Sequence, residues 1–415
     1  ILGGAFAPFT WLSLNLLPPL DAYHWLVAAN ALVAAVATAA FIRQLGGSRT
    51  AQLIGGLTWV MSQWRLIPDW GVMMAFSILP LLLLAVRASA TSRWAVLGGA
   101  AVVGYGWLSA HYQWQLMALA AATVWAVLHG WRALRRFLLT AFIGTLLGLP
   151  LLLPAAVYQQ ESLRSTALPY AEAAAWAVTP LDAGRLLLPH LWAPGLPWAE
   201  GQVYAGLLPV LLAVVGVVWV IRRRWPLPLA HEVKRLATLG TLALLTALMF
   251  SPLFWLLHQL PVLGTLRSPA RWLYIVFFIV AVLAGLTADR LRADDPKLER
   301  TRRGLMRLAV SVLILVAAAA LALVVVRPVA ERMMDRYVRN SYAAAPRALP
   351  LEHYLRVGQD IISRAAYPLD GREAAVYRTL LILAASALAL RQLQRRRSTA
   401  WFALATVVAL DLLLV

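Results

Sequence analysis

Two short stretches concentrate the groups able to hold a polar ligand. One reads Ser109-Ala110-His111-Tyr112-Gln113-Trp114-Gln115 and crowds donors and acceptors into a turn where any two polar residues would suffice. The other reads Leu266-Arg267-Ser268-Pro269-Ala270-Arg271-Trp272. Guanidinium forks bind phosphate or diphosphate in a bidentate manner, and Pro269 fixes the start of the helix that follows, so Arg267 and Arg271 are held at a defined height. Arg164, in Gln159-Gln160-Glu161-Ser162-Leu163-Arg164, is a third such cation. The chemistry on offer is a phosphate clamp from Arg164, Arg267 and Arg271 beside a hydrogen-bonding rim of His111, Tyr112 and Gln113. A plainer reading fits the same residues: Tyr and Trp as an interface belt, His111 as a helix cap, and arginines snorkelling to lipid phosphate.

Acid–base and metal chemistry are less well marked. Asp21, Asp69 and Glu161 are weak candidates for a general base, beside Glu172, Asp182 and Glu200, and no pair has a diagnostic spacing. His24, His111, His190, His258 and His353 show no metal-site spacing, so no metal ligands are assigned and a divalent cation stays open as a requirement. P-loop, HExxH and GxSxG motifs are absent, and Gly104 and Gly106 fall within an apolar helix, where they read as helix packing. With no cysteine, disulfides and thiolate metal sites are excluded.

The elements that must position these residues follow from composition. The chain has 415 residues, 61% hydrophobic and 13% charged, with a mean hydropathy of +0.73. Apolar runs of membrane-spanning length recur throughout, which excludes a soluble globular fold. The spacing predicts about twelve spans: 22–42, 51–67, 71–87, 94–109, 112–129, 137–157, 203–221, 236–257, 271–288, 308–326, 378–391 and 399–415. The organisation expected is the end of a first outer loop over 1–21, a first helix block over 22–157 and an outer re-entrant or interfacial loop over 158–202. A second helix block over 203–326 then precedes an outer loop over 327–378 with an amphipathic interfacial helix, and C-terminal helices over 379–415.

Charge gives the orientation. Assigning the connections alternately puts 23 of the 37 Lys and Arg on one side and 5 in the short and medium loops of the other, with 9 more in the long connection. Short loops carry the positive-inside signal, so the first side is cytoplasmic. The net charge of +19 is then explained by contact with anionic inner-leaflet lipid, and the motive for a nucleic-acid partner disappears. Inner loops are short and merely basic. Only the outer segments are long enough to build a shaped site, so chemistry is expected on the extracytoplasmic face. The Arg, Ala and Leu bias suggests a bacterial source and hence the cytoplasmic (inner) membrane.

Five stretches, in this order, resemble the YfhO-type bacterial membrane proteins of the GT-C glycosyltransferase superfamily. They are Ala7-Pro8-Phe9; Leu79-Pro80-Leu81-Leu82; the His111-Tyr112-Gln113 turn, similar to the family's Gly-His-Pro-Gln; Leu153-Pro154 followed by Ser162-Leu163-Arg164; and Arg267 to Trp272. The resemblance implies an all-α, GT-C-like polytopic enzyme that moves a sugar from a polyprenyl-phosphate donor to a cell-envelope acceptor, with membrane lipid as surroundings. It also implies an essential acidic residue in the first outer loop, upstream of Ile1, so the chain reads as a fragment lacking the first span and cut within the last. A lipid or polysaccharide transporter or flippase, or a non-catalytic envelope-assembly scaffold, are the alternatives. A transporter would favour intramembrane charges matched between two halves, and no such repeat is found.

Overall fold

The computed structural model describes residues 7–62, 70–109, 111–161, 168–175, 177–178, 204–227, 229–248, 251–260, 263–292, 298–344, 350–366, 374–394 and 400–413. Those residues are helical apart from turns, caps and a single parallel bridge between Val178 and Leu248. The expected all-α class therefore holds. Among the described residues, four helical segments are long and apolar enough to cross a membrane: Pro19–Gln44, Trp131–Gln160, Pro269–Arg292 and Glu299–Ala344. Shorter apolar helices occupy Met74–Ser89, Leu207–Ile221 and Phe402–Leu412. Every expected span contains helix, but length and apolarity together single out four rather than twelve.

The chain divides into two compact units, residues 1–183 with 198–290, and 184–197 with 291–415. The first contains α1 (Pro8–Leu16), α2 (Pro19–Gln44), α3 (Arg49–Ser62), α4 (Trp70–Ser89), α5 (Arg93–Ser109), α6 (Tyr112–Leu128), α7 (Trp131–Gln160), α8 (Tyr170–Ala173), α9 (Leu207–Ile221), α10 (Leu229–Ala247), α11 (Pro252–His258) and most of α12 (Leu273–Arg292). The second contains α13 (Glu299–Ala344), α14 (Leu351–Ala366), α15 (Ala374–Gln394) and α16 (Ala400–Leu413).

Small residues let the first unit's helices approach closely. A Cβ on Gly144 of α7 would fall 2.6 Å from the Ala100 carbonyl oxygen of α5, and one on Gly285 of α12 would fall 2.4 Å from that of Ala51 in α3. In lipid, such close backbone packing takes the place of the hydrophobic drive between helices. An aromatic cluster fills the centre. Trp59 lies edge-on to Phe278 at 5.2 Å, Trp114 edge-on to Tyr274 at 5.2 Å, and the Trp59 indole N–H donates to the Phe76 carbonyl at 2.9 Å. Outside, α7 exposes Leu138, Leu139, Phe142, Leu146, Leu147 and Val157, an apolar surface of the kind that meets lipid.

Polar contacts in this unit sort the connections into two ends, in the alternation read from charge. At the end read as cytoplasmic, Asp289 accepts from the Ser48 N–H at 3.1 Å and from its hydroxyl at 2.5 Å. Arg87 donates to the Gln44 carbonyl at 3.3 Å, and Arg136 donates to that of Ser89. At the other end, Ser268 N–H donates to the Ala173 carbonyl at 3.0 Å, and His258 Nε2 donates to that of Leu168 at 2.8 Å.

The segment expected as one span over 236–257 is broken. α10 ends at Ala247, whose carbonyl accepts from Val178 N–H at 2.9 Å. Ser251 then caps α11 through its hydroxyl, 3.1 Å from the Phe254 N–H, with Pro252 in the first helical turn. Ser-Pro is a start signal, and it starts a second helix here.

In the second unit, α13 is 46 residues long, about 69 Å at 1.5 Å per residue. It runs past the expected span into 327–344, so the first part of the segment read as an outer connection is helical. Arg302 is buried near its start, donating to the Leu291 carbonyl at 2.8 Å and pairing with Glu299 at 3.3 Å. α14 returns antiparallel along it: Gly358 sits against Met334 and Val338, and the Tyr354 and Tyr342 rings are 6.0 Å apart. Tyr354, Leu355 and Ile362 are partly covered, whereas Val357 and Ile361 of α14 stay exposed.

Candidate functional site: the Gln113–Arg271 corner

The corner begins with a helix cap. His111 precedes α6, and its Nδ1 accepts from the Gln113 N–H at 3.3 Å, satisfying a donor that the first helical turn would otherwise leave unpaired. That acceptor role places the ring hydrogen on Nε2. The imidazole stacks on Tyr112 at 4.9 Å and 22°.

Capping orients Gln113 inward, where it is 1% exposed. Its amide nitrogen donates to the Arg267 carbonyl, and its oxygen accepts from the Arg271 guanidinium. One side chain thus grips the Leu266–Trp272 segment at two points. The segment is also fixed by its own turn: Ser268 takes a left-handed conformation at φ +58°, and its carbonyl accepts from the Arg271 N–H at 3.0 Å. A three-residue-per-turn helix over Pro269–Trp272 then leads into α12. A non-glycine residue at positive φ stores a small strain, and such strain is typically found where a side chain must be aimed.

Arg271 is only 8% exposed. Buried cations are costly unless paired and hydrogen-bonded, so the Gln113 oxygen is part of what makes this position tolerable. Two other polar atoms of these stretches, Gln115 Oε1 and Trp272 Nε1, are buried without a hydrogen-bond partner among the described residues. Gln115 lies across Gly106, where a Cβ would come within 2.2 Å of that oxygen.

The structure joins His111, Tyr112, Gln113, Arg267 and Arg271 into one corner, with Arg267 contributing through its carbonyl. Arg164 and Asp69 lie outside the described residues. Asp21, in the first turn of α2, and Glu161, which ends α7, are exposed. Neither makes a hydrogen bond or ion pair with the corner among the described residues. No group of three His, Asp or Glu suited to a metal ion occurs among them either.

No family model, curated protein or solved structure matches the chain. The functional reading rests on the residues themselves.

Sequence reasoning missed a second cluster, on the side read as cytoplasmic. Glu232 of α10 pairs with Arg87 at 2.7 Å, with Arg235 at 2.9 Å and with His129 at 3.2 Å. Burial pushes the Glu232 carboxyl up, but the hydrogen bonds and positive charge of His129 and Arg87 outweigh it and bring it down to about 2. The available signal was a single acid in the otherwise basic stretch 222–235.

Proposed function

We propose that the chain is a polytopic GT-C-type glycosyltransferase of the bacterial cytoplasmic membrane. It transfers a sugar from a polyprenyl-phosphate donor to a cell-envelope acceptor on the extracytoplasmic face. The observation that carries this reading is the buried Arg271, aimed by Gln113 at the end of the first unit read as extracytoplasmic. A lipid-linked donor needs a cation at the membrane boundary to neutralise the phosphate leaving group as the glycosidic bond breaks, and a preorganised guanidinium out of bulk water does that most effectively. Tyr112 and His111 beside it supply groups for the sugar hydroxyls. About twelve spans and a GT-C arrangement belong to this proposal, as does the order of motifs that resembles the YfhO-type proteins.

The test is transfer from a radiolabelled polyprenyl-phosphate sugar in membranes carrying the protein. Arg271→Ala is expected to lower transfer by about a hundredfold or more, Arg271→Lys by less, and the distant surface change Arg222→Ala not at all. Undiminished transfer in Arg271→Ala at equal protein levels overturns the assignment. Movement of intact lipid-linked sugar across the membrane, without release of the phosphate carrier, supports transport instead.

A further inference from the structure

The first turns of α5 and α7 lie side by side at the end read as cytoplasmic. Gly99 of α5 faces Thr140 of α7, Gly104 faces Gly144 and Leu147, and Gly148 faces Trp107, so the two helices run parallel and in close contact. Arg136 of α7 donates to the carbonyl of Ser89, which ends α4 just ahead of α5. Carried back along this register, Arg93 and Trp94 at the start of α5 stand level with the stretch from Arg132 to Arg136.

Arg93, Arg132 and Arg136 are exposed, and so are Trp94 and Trp131 beside them. The Arg93 guanidinium lies over the Trp94 ring, 5.8 Å from its centroid. Indoles mark the headgroup level of a bilayer, which sets these guanidinium groups at the height of the lipid phosphates. Further along the helices the same side turns apolar. Leu97 follows Arg93 by one turn, and Leu139 and Leu147 follow Arg132 and Arg136 at helical spacing. All three leucines are exposed, and the Leu147 Cβ borders the contact at Gly104, so they flank the seam where α5 meets α7.

Nothing on these helices cancels the positive charge. No Asp or Glu occurs from Trp70 to Gln160, the whole of α4 to α7. Glu232, which reaches this end from α10, is engaged by Arg87, Arg235 and His129. Neither Arg93 nor Arg132 has an ion-pair partner among the described residues.

We propose that the α5–α7 seam seats one anionic phospholipid of the inner leaflet, its phosphate between Arg93 and the Arg132–Arg136 turn and an acyl chain along Leu97, Leu139 and Leu147. This is a localised site, distinct from the diffuse attraction of a basic face for anionic lipid. Guanidinium forks suit the two free oxygens of a phosphodiester, and Arg136 keeps donors to spare after serving Ser89. A zwitterionic lipid would bring its own cation up to the same guanidinium groups, which makes it the weaker occupant.

The chain has no cysteine, so Leu97→Cys takes a bimane fluorophore without background. The labelled full chain is placed in vesicles of phosphatidylcholine with a minority of phosphatidylglycerol. Two sets have the same composition: one carries brominated acyl chains on the phosphatidylglycerol, the other on an equal amount of the phosphatidylcholine. Bromine quenches bimane on contact, so the ratio of the two quenching strengths reads which headgroup occupies the seam. Quenching by the phosphatidylglycerol set should be the stronger by about fivefold or more, the attraction expected from a single engaged guanidinium. Arg93→Gln/Arg132→Gln should bring the ratio close to one, and Arg93→Lys/Arg132→Lys should keep most of it. A label at Leu153→Cys, exposed toward the opposite end of α7, should show no preference. A ratio near one at Leu97, an equal preference at Leu153, or a preference that survives the double glutamine variant overturns the site. If the glutamine variant fails to fold, salt decides: the excess in the otherwise unaltered chain should fall as sodium chloride rises, because exposed charges are screened, and an excess indifferent to salt also overturns it. No sugar donor is present, so the result is independent of whether the protein is a transferase.

Discussion

The guanidinium of Arg271 donates to the side-chain oxygen of Gln113, 158 residues away in the chain. The same amide donates to the backbone of Arg267, so one glutamine sets both the direction of the cation and the position of the turn that presents it. Gln113 is therefore a positioning residue. Gln113→Leu leaves the buried guanidinium and the Arg267 carbonyl each short of a partner, a loss of about 1–3 kcal/mol. Thermal unfolding in detergent should show it, and Gln113→Glu, which keeps an acceptor for Arg271, should recover part of the midpoint. An unshifted midpoint in Gln113→Leu would remove Gln113 from this role.

Acid should weaken the Glu232 cluster. The carboxyl is held down to about 2 in the folded protein, against about 4.3 in an unfolded chain. Its contribution is thus complete above the unfolded value and is lost as the pH falls through the folded one. Glu232→Gln should lose stability by about 1–3 kcal/mol near neutral pH, and the gap to wild type should narrow from about pH 4 downward and close only below about pH 2. Unfolding curves of the two proteins across that interval measure it; a gap that stays constant contradicts the pairing.

Helix contacts through glycine should be intolerant of a single methyl group. A Cβ at Gly144 meets Val103 Cβ at 2.4 Å and the Ala100 oxygen at 2.6 Å, and backbone has no rotamer in which to retreat. Gly144→Ala and Gly285→Ala should each cost about 1–3 kcal/mol by overpacking. Gly98→Ala, whose Cβ would meet nothing within 4 Å, should match or exceed wild type, since alanine favours helix over glycine. Equal unfolding midpoints for all three would refute the close approach.

Single cysteines test the orientation. Ser48→Cys and Arg93→Cys should react with an impermeant thiol reagent only after the cytoplasmic face is opened, and Tyr112→Cys in intact cells. The reverse pattern inverts the assignment of both ends.

Much of the fold was legible because hydropathy and helix starts are local properties. Pro19, Arg93 and Pro252 open helices where charge or proline interrupts an apolar run. The length of α13 was not legible, because the apolar run ends near Val326 while the more polar stretch beyond it, with its Arg, Met and Ala, still favours helix. Nor was the break after Ala247, since Phe250 to Leu257 is as apolar as a span and only Ser251-Pro252 marks the restart. At the site, the residue types of His111, Gln113 and Arg271 stood out, but their bonds did not. Which oxygen meets which guanidinium is decided by helix packing across distant segments, and the partners of Glu232 were hidden for the same reason.

α13 has one last implication. Its final 18 residues, Arg327 to Ala344, continue without a break past the apolar stretch and are braced by α14 along their length, which makes a stiff rod of about 27 Å. If the apolar part is embedded in the bilayer, the rod works as a spacer. Any polymer or protein that touches its tip is held at a set distance from the lipid headgroups, and shortening it by whole helical turns would bring that contact inward by about 5.4 Å per turn.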